Sequence, residues 1–206
     1  MDSRRIRRFI LVVSLWLLLC SVILAGTSCR RDKKESPPSG VIQTNAQGYS
    51  LAPDFTLADQ SGQTHRLSDY RGRIVYLTFW ASWCDPCLQE LPDIEQLYQD
   101  RGSNTGDLVV LGVVFPSHSD GSAEGNEQHE KTSAGINEFL KENSLTFPVL
   151  FDEQGSTFSA YDVTGLPTTY LIDREGYFIG VIPASIERAI MDHFVEEAMG
   201  ADYNGK

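Results

Sequence analysis

Ile74-Val75-Tyr76-Leu77-Thr78-Phe79-Trp80-Ala81-Ser82-Trp83-Cys84-Asp85-Pro86-Cys87 sets the local order of the chain: a buried strand, a short turn, two cysteines and the start of a helix. Its first seven residues form a near-continuous apolar run, of the kind covered on both faces of a sheet. Downstream, Leu88, Leu91, Ile94, Leu97 and Tyr98 recur at helical spacing, with Pro92 expected to kink that helix. Cys84 then falls at the helix N-terminus, where unpaired N–H groups and the dipole favour a thiolate. Pro86 is tolerated in the first turn because no intrahelical donor is lost there. Cys87, three residues on, shares the face of Cys84 and is close enough to form a small ring with it.

Strand and helix patterns alternate on either side of this stretch. Phe55–Leu57 and Thr64–Leu67 flank Asp59-Gln60-Ser61-Gly62, a hairpin signal. Leu108–Phe115 reads as a second buried strand, and Ile136, Phe139 and Leu140 mark a second helix. Phe147–Phe151 reads as a short strand and Thr157–Tyr161 as a helical turn. Thr169–Ile172 and Tyr177–Ile182 bracket Asp173-Arg174-Glu175-Gly176 as a last hairpin. Ile186, Ile190, Phe194 and Ala198 then form an apolar stripe along a final helix. This is the element order of an α/β fold. Between Pro116 and Ser133 runs a polar loop holding His118 and His129 among carboxylates. It reads as a solvated insertion; a metal site and a partner-recognition loop are the other readings.

The 206 residues carry 17 Lys+Arg against 28 Asp+Glu, net −11, with 41% apolar residues. That composition excludes a disordered chain and a multi-span membrane protein. So acidic a surface has no footprint for nucleic acid, and four cysteines are too few for a disulfide scaffold. Arg4, Arg5, Arg7 and Arg8 precede an uncharged run from Phe9 to Gly26, which reads as a secretory signal or an uncleaved membrane anchor over residues 1–29. Cys29 follows small residues in the manner of a bacterial lipoprotein acylation site, although Gly26 stands three positions before it. Residues 30–49, rich in Lys, Ser, Pro and Gly, are expected to be a flexible tether. Residues 50–200 are the expected folded domain and 201–206 a tail.

The Cys84–Cys87 spacing has three chemical readings. A structural zinc site lacks a second Cys/His pair at ligand spacing. A purely structural disulfide across so short a loop constrains the unfolded chain little. A redox pair uses Cys84 as an exposed nucleophile and Cys87 as a shielded resolving thiol, and needs no cofactor. Asp85, between the sulfurs, opposes thiolate formation and leans the pair towards a reductant. Glu90, one turn beyond Cys87, is either an ordinary surface glutamate or a buried acid with a raised pKa that handles a proton.

Phe79-Trp80-Ala81-Ser82-Trp83-Cys84-Asp85-Pro86-Cys87, with Glu90-Leu91-Pro92, resembles the membrane-tethered thioredoxin-like proteins of bacteria, the TlpA/ResA group. Ala52-Pro53-Asp54-Phe55, Thr146–Asp152 and Gly165–Asp173 are similar to further blocks of that group. The resemblance implies a thioredoxin fold, a central mixed sheet flanked by helices, with an N-terminal β-hairpin extension. It implies that Pro167 is a cis-proline facing the cysteines, that Leu166 presents backbone to a bound substrate strand, and that Trp83, Asp85 and Pro86 flank the substrate. Thr78 stands where cytoplasmic thioredoxins carry a buried Asp, so the proton role passes to Glu90. The implied activity is thiol–disulfide exchange on protein disulfides by a monomer tethered at the outer side of a bacterial cell membrane. A membrane thiol-electron carrier would supply its electrons. The long 116–133 loop is more like relatives that serve methionine sulfoxide reductases than plain cytochrome-maturation proteins. A disulfide-forming oxidase is the alternative within the class. A copper chaperone using Cys84, Cys87 and His118 is the alternative outside it, although such relatives usually carry a three-residue spacer.

Overall fold

The expected apolar runs become the centre of a seven-stranded mixed sheet. The structure, a computed structural model, describes residues 44–118 and 130–200. Strands β1 (Thr56–Asp59), β2 (Thr64–Arg66), β3 (Ile74–Phe79), β4 (Leu108–Val114), β5 (Val149–Phe151), β6 (Thr168–Ile172) and β7 (Phe178–Ile182) lie in the order β2-β1-β5-β4-β3-β6-β7. Helices α1 (Asp85–Asp100), α2 (Ser133–Glu142), α3 (Ser156–Ala160) and α4 (Arg188–Gly200) connect and cover them. β3 pairs in parallel with β4 and β4 with β5, while β6 runs antiparallel to β3. The β1–β2 hairpin adds antiparallel strands at one edge, with Leu57 opposite His65.

Every residue of β3 and β4 is buried, as a strand covered on both faces requires. Their alternating side chains feed two cores. On one face Ile74, Tyr76, Leu108 and Val110 pack with Leu91, Ile94 and Leu97 of α1, Ile136 and Leu140 of α2, and Met191 and Val195 of α4. On the other, Val75, Leu77, Phe79, Val109 and Leu111 pack with Phe55, Leu67 and Tyr161. α1 runs through Pro92 as a single helix of 16 residues.

Element ends differ from expectation by a residue or two. Leu67 leaves β2 to open a short 3-10 turn through Tyr70, and the first strand begins at Thr56. The final helix is placed differently in a way that matters. It starts at Arg188, so Ile186 precedes it, and it buries Met191, Val195 and Ala198 while Ile190 is 45% exposed. A strict four-residue repeat advances 400° per step, so the expected stripe drifts round the helix and meets the packed face only towards Phe194 and Ala198, whereas 191, 195, 198 stays on it throughout. At the end of the expected tether, Thr44 bridges Ser50, and Asn45 Oδ1 accepts the N–H groups of Gln47 and Tyr49. The candidate anchor (1–29) with Cys29, residues 30–43, His129 and most of its loop, and the 201–206 tail lie outside the described residues. Among the described residues no helix is long and apolar enough to cross a membrane.

Candidate active site

β3 ends at Phe79, and five residues later Cys84 caps α1. Its backbone is extended (φ −92°, ψ 97°), and its Sγ accepts the N–H of Cys87 at 3.3 Å, serving one of the orphan donors of the first turn. Pro86 sits in that first turn, and Asp85 places a carboxylate at the positive end of the helix dipole. Cys84 and Cys87 are joined as a disulfide with their Cα atoms 5.2 Å apart. Both are buried, Cys84 at 5% exposure and Cys87 at 1%. In the disulfide, therefore, the expected nucleophile is not exposed: both cysteines lie in the core that α1 covers, and Cys84 is only slightly the more open. Asp85 and Pro86 are exposed, as is Trp83, at 39%. Solvent screening at Asp85 weakens the tuning expected of its charge.

Glu90 is buried at 2% exposure, on the α1 face that also buries Cys87 and Leu91. Neither carboxyl oxygen has a hydrogen-bond partner. Burial pushes its pKa up to about 7, and Asp93 adds repulsion; the Ile186 backbone and the Tyr76 hydroxyl, lying close without completing a normal bond, hold the rise back. A carboxyl that is half protonated near neutral pH is suited to proton transfer. At the place of Thr78 there is no acid. Its hydroxyl accepts a hydrogen bond from Thr169 at 3.0 Å, a neutral buried pair.

The Leu166–Pro167 peptide bond is cis. Pro167 is buried, and Leu166 is half-buried against both cores, including the one that holds the cysteines. His118 faces Glu153 at 3.9 Å, and among the described residues no group of three or more His, Cys, Asp or Glu side chains is placed to hold a metal.

Glu130 belongs to the site without any signal in the local pattern. Its carboxylate accepts the backbone N–H of Ser82 at 2.9 Å and the Ser82 hydroxyl at 2.5 Å, two residues before Cys84. The contact spans 48 residues of chain, so only its location beside the start of α2 hinted at an inward role. Tyr76 carried a clearer hint. In β3 it has the same parity as Trp80, which places a hydroxyl on the α1 face of an otherwise apolar strand.

The AhpC/TSA family model matches residues 50–179. The thiol-disulfide oxidoreductase ResA of Geobacillus kaustophilus is 35% identical over 147 residues, 71% of this chain and 75% of that one. ResA of Bacillus subtilis is 28% identical over 193 residues, 94% of each chain. Among solved structures, the exposed lipoprotein thioredoxin of Streptococcus pneumoniae superposes with a TM-score of 0.60 at 36% identity, covering 70% of this chain and 99% of that one.

Proposed function

Because the chain belongs to the AhpC/TSA family and is a thiol–disulfide oxidoreductase of the ResA type, we propose that it reduces protein disulfides outside the cytoplasm while tethered through its N-terminus. The observation that carries this reading is one arrangement: a cysteine capping α1, a second cysteine one turn behind it, and an unpartnered carboxyl on the same buried face. In the reduced protein, the Cys84 thiolate attacks a substrate disulfide and releases one substrate thiolate. The Cys87 thiol then loses its proton to Glu90, and its sulfur attacks Cys84 Sγ. The second substrate thiolate departs, leaving the Cys84–Cys87 disulfide seen here.

Each half of the cycle moves two electrons, so an external dithiol must restore the pair. A membrane thiol-electron carrier is the proposed source, and residues 1–29 are the proposed tether, as an anchor helix or through a lipid on Cys29. Pro167 and Leu166 are proposed to form the wall opposite the sulfurs, with Trp83 and Pro86 at its rim. The substrates are proteins oxidised outside the cytoplasm, of the kind of apocytochrome c or a methionine sulfoxide reductase. The test is covalent trapping with Cys87→Ser. A mixed disulfide with a substrate protein, held on Cys84 and absent from Cys84→Ser, is the expected result. If alkylation of the reduced protein labels Cys87 faster than Cys84, the assignment of roles is wrong.

A further inference from the structure

Among the buried polar atoms without a hydrogen-bond partner are both carboxyl oxygens of Glu90 and the hydroxyl of Tyr76; the Trp80 indole nitrogen, in the same core, lies instead beside Gly112 and Phe147. Nearly all such atoms are paired in folded proteins, so an orphaned set needs a physical reason, and a bond made in another state of the protein is one. Tyr76 is fully buried on β3, and Glu90 projects from α1 into the same core. The two groups are near enough to perturb each other, and the Thr169 hydroxyl also lies beside Tyr76.

The surroundings of Glu90 narrow the choice of partner. On α1 itself lies Asp93, whose carboxylate already takes the backbone N–H of Arg188 at 3.2 Å. α4 contributes apolar Met191 and Val195, with Arg188 and Asp192 paired to each other at 2.9 Å. Ile186 contributes backbone only. On β6, the Thr169 hydroxyl spends its proton on Thr78. Among the described residues, Tyr76 is the side-chain donor left facing Glu90.

We propose that Tyr76 is a positioning residue for the proton step, donating its hydroxyl to Glu90 when that carboxyl is ionised. In the oxidised protein the pair lies close without completing a bond, and Glu90 is free to be protonated. When Cys87 has to lose its proton, the Tyr76 O–H holds one oxygen of the ionised carboxylate and leaves the other to receive it. No electrons pass through Tyr76. The proton moves from Cys87 Sγ to Glu90, and the substrate disulfide takes up the electron pair, as in the cycle above. Burial and the Glu90 charge keep the Tyr76 phenol protonated, so it acts as a donor throughout the working pH range.

This inference rests on Glu90 handling the proton, and the test separates the two. The pH dependence of oxidised-glutathione reduction is measured with the full chain, with Tyr76→Phe, with Glu90→Gln and with the double variant. Phe keeps the ring and removes only a hydroxyl unpartnered in this structure, so folding is retained. Losing a hydrogen bond to a charged acceptor moves the Glu90 inflection upward by about one pH unit, a tenfold loss of rate below it that vanishes at high pH. The double variant should match Glu90→Gln alone, since Tyr76 acts only through that carboxyl. If Glu90→Gln removes the inflection while Tyr76→Phe leaves it in place, the role of Tyr76 is overturned and that of Glu90 stands. If Glu90→Gln retains the inflection, Glu90 is not the proton carrier and both fall.

Discussion

Replacing Glu90 by Gln should make the oxidised protein more stable at alkaline pH and leave it nearly unchanged in acid. In the folded protein the Glu90 pKa stands at about 7, against 4.5 for the free side chain. Between those values the folded state holds a proton that the unfolded chain has lost, so stability falls as pH rises through that window and levels off above it. A difference of about 2.5 units at 1.36 kcal/mol per unit gives a penalty of about 3 kcal/mol at pH 8. The amide mimics the protonated acid in shape and charge, so the variant lacks the penalty without leaving a cavity. Urea unfolding of parent and variant, disulfide intact, at pH 4, 6 and 8 reads the difference directly. The stability gap should open from near zero at pH 4 to about 2–3 kcal/mol at pH 8. Parallel stability curves would show that the carboxyl ionises freely in the folded state, and the burial argument for its proton role would fail.

Three further substitutions probe the frame around the site. Asp85→Ala should raise the reduction potential by less than about 20 mV, because an exposed carboxylate is screened; a rise above about 45 mV on glutathione titration would mean that it faces the sulfurs. Asp152→Ala removes a carboxylate, 1% exposed, that accepts the N–H groups of Thr157 at 2.8 Å and Phe158 at 2.9 Å. It should destabilise by about 2 kcal/mol in urea while leaving the potential untouched. Gly112→Ala would set a Cβ 2.9 Å from both Phe147 and the Trp80 indole nitrogen in the middle of β4, so a loss of about 1–3 kcal/mol is expected in the same assay.

What could be read from sequence divides along physical lines. The strands Ile74–Phe79 and Leu108–Val114 were legible, though each was read one residue too long, because a strand covered on both faces must be apolar throughout, whatever packs on it. Cys84 at a helix start was legible because Pro86 and the strand-to-helix switch are local signals. The packed face of α4 was not, since Ile190 and Met191 are both apolar and only the position of β3 and α1 decides which turns inward. The burial of Glu90 depends on Tyr76 and the Ile186 backbone, which arrive from two distant segments. The closure of Cys84 arises from the disulfide and the surrounding core, and the grip of Glu130 on Ser82 crosses 48 residues. Each of these is a tertiary contact with no local pattern behind it.

The proposed direction of electron flow stands or falls on the reduction potential of the Cys84–Cys87 couple. Equilibration of the full chain against glutathione or dithiothreitol buffers measures it. The expected value lies near the thioredoxin potential of about −270 mV, about 150 mV or roughly 7 kcal/mol below that of strong disulfide-forming oxidases. A potential above about −180 mV would contradict the reductant reading and make the protein an oxidase of its substrates.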